Sequence, residues 1–582
     1  MKFSIFKRLM RYTKPYTHFL IGAIISAVIN ISLTLYGPVL IGRGVDTITG
    51  KGAVNHRGMI PILLMFAATI ALSAIFQWIM AYCMNKVTYQ TIRDLREQTY
   101  QKINKLPLKY IDGHAHGDFI SRIVNDVDQV GDGLLQGLTQ FFTGIVTILG
   151  TFLFMLSISP VITVVVVLVT PLSIFVAAFI ARISHRQFTQ QQLTQGQLSG
   201  YVEEMLSGQK VVKTFHYEER AQKQFHEINQ RLYDCGVKAQ FYSALSNPST
   251  RFVNGIVYAA VAVIGSVCAV TGRPAPLTIG QITSFLAYAN QYTKPFNEIT
   301  GVITQIQTAF ASAERLFNTL DEEEEQPDAP QAVTLTQSDG NIDVEHVYFS
   351  YRPQVKLIQD MNLKAREGNR IAIVGPTGCG KTTIINLLMR FYDIDSGAIK
   401  IDGKDIKTVT RSSLRAMFGM VLQETWLFSG TVRENIAYGC KNVTEEQLIA
   451  AAKSAHAHSF IMRLPDGYDT LISEDGGNLS QGQRQLLCIA RVMLFDPPIL
   501  ILDEATSSID TRTEIRIQKA FTKMMQGRTS FVVAHRLSTI KEADTILVMN
   551  KGSVVEQGTH EQLLEKNGFY AKLYNSQFAS DS

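Results

Sequence analysis

"GPTGCGKTT", Gly375 to Thr383, follows the apolar run "RIAIV" and leads into "TIINLLMRF", so its glycines sit where a strand turns into a helix. It fits G-x-x-x-x-G-K-[ST] in full, in the strand-to-helix context that gives the motif its meaning. The glycines let backbone N–H groups close around phosphates, the helix start supplies a favourable dipole, and Lys381 supplies a cation. Thr382 is placed to offer its hydroxyl to Mg²⁺.

Downstream, "ILILDEATS" gives a buried strand with Asp503 at its end, placed to reach Mg²⁺. Glu504 follows at once and is assigned as general base, since a carboxylate beside the metal can polarise the attacking water. His535, just after the run "TSFVV", is a candidate for contact with a γ-phosphate. From Asn341 onward, short apolar strands alternate with helices, as in an α/β ATPase core.

The first half reads differently. A 582-residue chain exceeds one core, and its 46% hydrophobic residues are concentrated before about residue 315. Net charge is only +5, from 55 basic and 50 acidic residues, too balanced for a nucleic-acid partner. The six cysteines are scattered without metal-ligand spacing and read as reduced, small apolar residues. His114 with His116, and His456 with His458, lack a third ligand type nearby and read as solvated rather than metal-binding.

A spanning helix needs ~20 apolar residues. Stretches of that kind predict an α-helical transmembrane domain over 1–320 with six spans, 17–42, 59–85, 133–157, 160–181, 252–272 and 277–305. Pro160 marks the turn between the third and fourth. The segments 86–132 and 182–251 are long and polar and are expected to project as cytoplasmic extensions. The basic start "MKFSIFKRLMRYTKPY" sets that side as cytoplasmic, which puts the nucleotide domain there too, at a plasma membrane. Asn290, Gln291, Lys294, Asn297 and Glu298 surround Pro295 in the sixth span. They read either as a cavity lining or as residues at the cytoplasmic interface. The acidic stretch 321–340 is expected to be a linker that buries no core, followed by the nucleotide domain at 341–582.

Between the nucleotide motifs stands "NLSQGQRQLLCIARVML". Here the chain closely resembles the ATP-binding cassette exporters, of the type with six spans and one nucleotide domain per chain. The resemblance covers nearly the whole chain. It implies that Gly375, Pro376, Thr377, Gly378, Cys379, Gly380, Lys381, Thr382 and Thr383 cradle ATP, and that Ser480, Gly482 and Gln483 reach the γ-phosphate held by a second nucleotide domain. Tyr351 in "YFSY" looks like the aromatic residue that stacks on adenine. Gln423 in "VLQETWLF" looks like the glutamine that joins Thr382 and Asp503 at Mg²⁺. Asp510 in "SSID" and Glu474 in "SEDGGNLS" match two further family marks. "YIDGHAHGDFISRIVNDVDQV" and "MLSGQKVVKTFHYEERAQKQF" resemble the extensions whose short helices rest on nucleotide domains.

One departure stands out. Gln481 replaces the family's glycine, giving LSQGQ, and a side chain beside the phosphate-facing backbone weakens that contact. The resemblance implies a dimer of half-transporters in membrane lipid. Gln481 favours a heterodimer with one weak ATP site over a homodimer. The function it implies is ATP-driven export of amphipathic or hydrophobic compounds, with a lipid or lipid-linked flippase as the alternative. An ATP-gated channel or regulator is a further alternative that the presence of Glu504 argues against.

Overall fold

In the computed structural model, the described residues are 2–50, 53–133, 137–272, 276–352, 356–422, 425–473, 476–503, 509–533 and 537–578. They form two units, one comprising 1–106 and 114–323, the other 107–113 and 324–582.

The first unit is helical: α1 Lys2–Thr13, α2 Thr17–Asp46, α3 His56–Ile103, α4 Leu138–Ile158, α5 Pro160–Ser207, α6 Glu218–Ala244, α7 Ser246–Thr271 and α8 Ile279–Asp321, with shorter helices between α3 and α4 and between α5 and α6. Among the described residues, four helical stretches are long and apolar enough to cross a membrane: Ser4–Asp46, His56–Ile103, Thr139–Ile158 and Glu218–Thr271. Pro160–Leu172 adds a shorter apolar stretch. At 1.5 Å per residue, the 48 residues of α3 reach about 70 Å, far more than a ~30 Å hydrocarbon core, so its polar second half continues well beyond any span. Only extended Ser159 separates α4 from α5, where Pro160 takes the first helical turn that its missing N–H suits.

Helix α8 carries its polar residues within a 43-residue helix that also contains Pro295. It crosses α2 at paired glycines: a Cβ on Gly280 would lie 2.0 Å from the Gly42 carbonyl oxygen. Small residues allow such a close approach of backbones. The contact is locked from the end of α2, where Asp46 accepts hydrogen bonds from the Gly280 N–H and the Thr278 hydroxyl, both at 2.8 Å. Further along α8, Arg315 Nε donates to buried Asp126 at 3.1 Å, and Arg122 donates to Thr319 at 2.8 Å.

Among the described residues the second unit has a small antiparallel pair, Gly430–Thr431 with Leu471–Ile472, and two larger sheets with ten strands between them: β1 Ile342–Phe349, β2 Ile358–Ala365, β3 Arg370–Val374, β4 Ser396–Ile401, β5 Lys404–Asp405, β6 Phe418–Val421, β7 Ile499–Asp503, β8 Thr529–Val533, β9 Thr545–Asn550 and β10 Ser553–Gly558. One sheet runs β10-β9-β3-β8-β7-β6, parallel except for β10. The other runs β2-β1-β4-β5, antiparallel throughout. Residues 371–374 of β3 are all buried, as a central parallel strand covered on both faces requires. Ile371 and Ile373 share a core with Ile342 and Val344 of the antiparallel sheet. A second core joins Val421, Leu500 and Leu502 to the helices beyond.

Two features of this unit depart from expectation. The acidic stretch 321–340 packs rather than hangs free. Glu325 pairs with Arg415 at 3.0 Å, Asp328 with buried Arg411 at 3.1 Å, and Leu335 is 5% exposed. The arginines neutralise the acids that composition alone reads as solvated. Moreover, the short helix Leu108–Asp112, from the first expected extension, belongs to this unit, where Tyr392 Oη donates to Asp112. Burial first, and then that carboxylate, push the Tyr392 phenol well above its ordinary range, so it stays a donor at physiological pH.

Arg315→Met leaves a buried carboxylate without its guanidinium and is expected to destabilise the helical unit by about 2 kcal/mol. Thermal unfolding in detergent checks this. The double variant with Asp126→Leu is expected to melt above the single one.

Candidate functional site

Strand β3 delivers the chain into the glycine loop, and the loop has little room for side chains. A Cβ on Gly375 would lie 2.3 Å from the Met549 carbonyl oxygen. Gly378 and Gly380 have φ of +78° and +103°, conformations that side chains disfavour. The turn is held by Cys379 N–H donating to Pro376 at 3.3 Å, by Gly552 N–H donating to Cys379 at 3.2 Å, and by the buried Cys379 side chain beneath it. Lys381 reaches back along the loop, its ammonium donating to the carbonyls of Gly375 at 2.8 Å and Pro376 at 3.1 Å. That pose folds the cation back onto the loop's own carbonyls.

Helix α9, Lys381–Leu388, starts from this loop with Gly380 at its N-cap and no side-chain cap. Its first-turn N–H groups are thereby left for an anion. Thr382 is exposed at that turn, whereas Thr383 is buried and accepts a hydrogen bond from Tyr351 Oη at 3.3 Å. Tyr351 stands edge-on to Phe349 and Tyr392 with centroids 4.9 and 5.0 Å away, so its ring is fixed beside the loop.

Asp503 ends β7 in register with Val533 of β8, and Val533 is in register with Ile373 of β3. The carboxylate thus lies at the same sheet edge from which the glycine loop departs. Thr382 and Asp503 together offer hard oxygen ligands, the kind Mg²⁺ takes alongside phosphate oxygens and water. Among the described residues no cluster of three His, Cys, Asp or Glu stands ready for a metal, and a site completed by phosphates needs none. Glu504, His535, Gln423 and Glu474 lie outside the described residues.

Helix α10, Gln481–Phe495, begins with a capping box. Ser480 Oγ accepts from the Gln483 N–H at 3.3 Å while Gln483 Oε1 accepts from the Ser480 N–H at 2.9 Å. Ser480 and Gln483 therefore shape the helix start, and Gln481, half-buried, occupies its first position. Gly482 has a packing role that sequence reasoning missed: a Cβ there would lie 2.5 Å from Thr513 Cγ2 and 3.1 Å from Ile509 Cγ2. Thr513 sits in the first turn of helix α11, Thr511–Met525, which Asp510 caps by accepting from the Thr513 N–H at 2.9 Å. That backbone donor holds the Asp510 carboxyl below its ordinary range. The cap is therefore complete at neutral pH and fails only as pH falls through the lowered value.

Also unanticipated was Arg491 of α10, which donates to the Asn435 carbonyl at 2.8 Å and lies over Tyr438 at 5.1 Å. Burial pulls its guanidinium below the usual arginine range. Trp426 and Tyr438 lie more than fifty residues before Arg491 in the chain, so no local signal marked the contact.

Residues 20–296 match the family model for the ABC transporter transmembrane region, and residues 358–507 match that for the ABC transporter. A fatty acid ABC transporter ATP-binding/permease protein of Mycobacterium bovis is 43% identical over 91% of this chain and 83% of its own length. An ATP-dependent lipid A-core flippase of Syntrophus aciditrophicus is 35% identical over 100% of this chain and 96% of its own. A bacterial Atm1-family exporter solved with ATP bound superposes with a TM-score of 0.76 at 29% identity, over 97% of this chain and 99% of that one.

Gly482→Ala is expected to cost roughly 1–3 kcal/mol by pressing its new methyl into Thr513. Thermal unfolding checks this, and pairing it with Thr513→Ser, which removes the opposing methyl, is expected to restore part of the loss.

Proposed function

The chain belongs to the ABC transporters, as an ATP-hydrolysing half-transporter of the exporter type, and on that premise we propose that it pumps amphipathic compounds as one half of a heterodimer. The observation that carries this reading is that one unit supports three parts at once. These are a glycine loop opening an uncapped helix, Asp503 at the neighbouring strand end, and a separately capped signature helix. A single chain supplies half of each ATP site, and the second half comes from the partner's signature.

In the proposed cycle, Lys381 and the loop N–H groups hold the phosphates, with Tyr351 against the adenine. Mg²⁺, when bound, neutralises charge on the β- and γ-phosphate oxygens. Thr382 and Asp503 would hold it, with Gln423 as the third contact. Glu504, next in the chain after Asp503, takes the proton of the attacking water, and His535 steadies the γ-phosphate. ATP binds the closed nucleotide dimer more tightly than the open one, and that difference drives the spans from one facing to the other. The six spans and the boundaries 1–320, 321–340 and 341–582 belong to the same proposal, as do a plasma-membrane location and a cytoplasmic ATP-binding domain.

Two considerations favour the heterodimer and the amphiphile. Gln481 puts a side chain at the first position of the helix whose start faces the partner's phosphate. The relatives named for a fatty acid and for lipid A-core both handle amphiphiles. A lipid flippase is thus a variant of the same reading.

Glu504→Gln is expected to slow ATP turnover by roughly 10³-fold while ATP binding persists, as loss of a general base requires. ATPase assays of the chain purified alone and of the chain co-purified with a second half-transporter test the pairing. Activity only in the pair supports the heterodimer, and full activity of the chain alone contradicts it.

A further inference from the structure

Before Asp46 the chain has no acidic residue, and five cations fall within residues 2–14. Lys7, Arg11 and Lys14 recur at i, i+4 and i+7, so they share one side of α1 and of the single turn Lys14–Tyr16 that follows it. All three are exposed, and among the described residues none of them meets a carboxylate. Arg8, by contrast, pairs with Asp321.

The other sides of α1 are used differently. Ile5 and Leu9 are buried in a core with Ala313, Leu316 and Phe317 of α8. Arg8 lies over the Phe317 ring at 4.2 Å, and Tyr12 stacks against it at 6.1 Å. Asp321 is the last residue of α8, and the helical unit ends at Glu323. On the flank between the packed side and the basic side, Phe6 and Met10 line an apolar cavity of about 380 Å³ with Leu20 and Ile24 of α2 and Met84 and Val87 of α3, and no charged residue is among its described lining. The stretch Ser4–Asp46, which contains most of α1, is long and apolar enough to cross a membrane, so the basic stripe stands at the start of a span.

We propose that the basic side of α1 is a docking surface for anionic phospholipid of the adjoining leaflet, and that this contact steadies the end of α8 and so regulates ATP turnover. A helix packed on one side, apolar on the next and basic on a third has the layout of one lying in a membrane interface, its apolar flank toward hydrocarbon and its cations at the head groups. Three unpaired cations favour lipid that carries net negative charge over zwitterionic lipid, each adding to the attraction near the surface. An acidic protein segment would meet the cations but leave the apolar flank against water. The lipid acts here on the pump rather than as its cargo, so the inference goes beyond the export reading and rests only on ATP hydrolysis by the assembly.

The test uses the purified full-length assembly in nanodiscs of phosphatidylcholine alone, or with phosphatidylglycerol as about one lipid in three. Spin-labelled phosphatidylglycerol reports binding through its immobilised fraction, and ATP turnover reports the consequence. The unmodified protein is expected to hold phosphatidylglycerol about tenfold more strongly than spin-labelled phosphatidylcholine and to turn over ATP roughly threefold faster in the anionic discs, both differences shrinking as salt screens the surface. The triple variant Lys7→Gln, Arg11→Gln, Lys14→Gln is expected to lose both differences while keeping the original turnover in phosphatidylcholine, which also reports that it is folded. Lys7→Arg with Lys14→Arg is expected to keep both. Should the triple variant fail to fold, Lys14→Gln alone, nearest the span, is expected to lose part of the lipid preference. Equal immobilisation of the two lipids by the unmodified protein, or an unchanged preference in the neutral variants, overturns the docking surface. A preference that depends on the stripe but leaves turnover unmoved overturns the regulatory role. No cargo enters the assay, so its result stands apart from any measurement of export.

Discussion

The first turn of the helix Lys381–Leu388 has no side-chain cap, and the ATP-binding unit is arranged to keep it so. A capping side chain would satisfy the N–H groups that phosphate needs. Gly380, at the N-cap with φ of +103°, provides the turn without one. The helices that begin at Gln481 and Thr511 are capped by Ser480 and Asp510, so their starts are rigid before any nucleotide arrives. The helix at the glycine loop thus keeps its first-turn N–H groups open to charge, while these two carry their own caps. The buried strand Arg370–Val374 beneath the loop and the Met549 carbonyl pressed against Gly375 hold the open one in place.

Gly482 shows how one residue serves packing and chemistry together. Its missing side chain lets two capped helices touch at Thr513, while the same residue is the one proposed to reach the partner's γ-phosphate. Gln481 beside it is half-buried and free of that packing limit, which explains how a glutamine is accommodated in this fold where the family has glycine.

The ATP-binding fold was legible in the sequence because parallel strands such as "RIAIV" and "ILILD" are buried on both faces and read as unbroken apolar runs. The strand-to-helix setting of the glycine loop was legible for a similar reason, since phosphate chemistry constrains residue type and spacing together. What escaped was long-range. Nothing local in 321–340 says that Arg411 and Arg415 neutralise its acids, or that Leu335 is buried. Nothing in "KYID" says that Asp112 meets Tyr392, some 280 residues on. Four of the dense apolar runs lie in described helices long and apolar enough to cross a membrane. The helix Ile279–Asp321 was ambiguous because its polar residues fit either an interface or a cavity; Gln291 and Lys294 both line a cavity of about 440 Å³, with Lys294 exposed.

A chain that hydrolyses ATP and is proposed to move an amphiphile has to connect the two, and coupling is the central claim. The most direct measurement is ATP-dependent movement of a fluorescent single-chain amphiphile in proteoliposomes containing the co-purified pair, with the ATP-binding domains facing outward. The account expects the probe to accumulate in the lumen only with hydrolysable ATP and in step with its consumption. Steady ATP turnover with no net movement of the probe, or movement at the same rate without ATP, would contradict it.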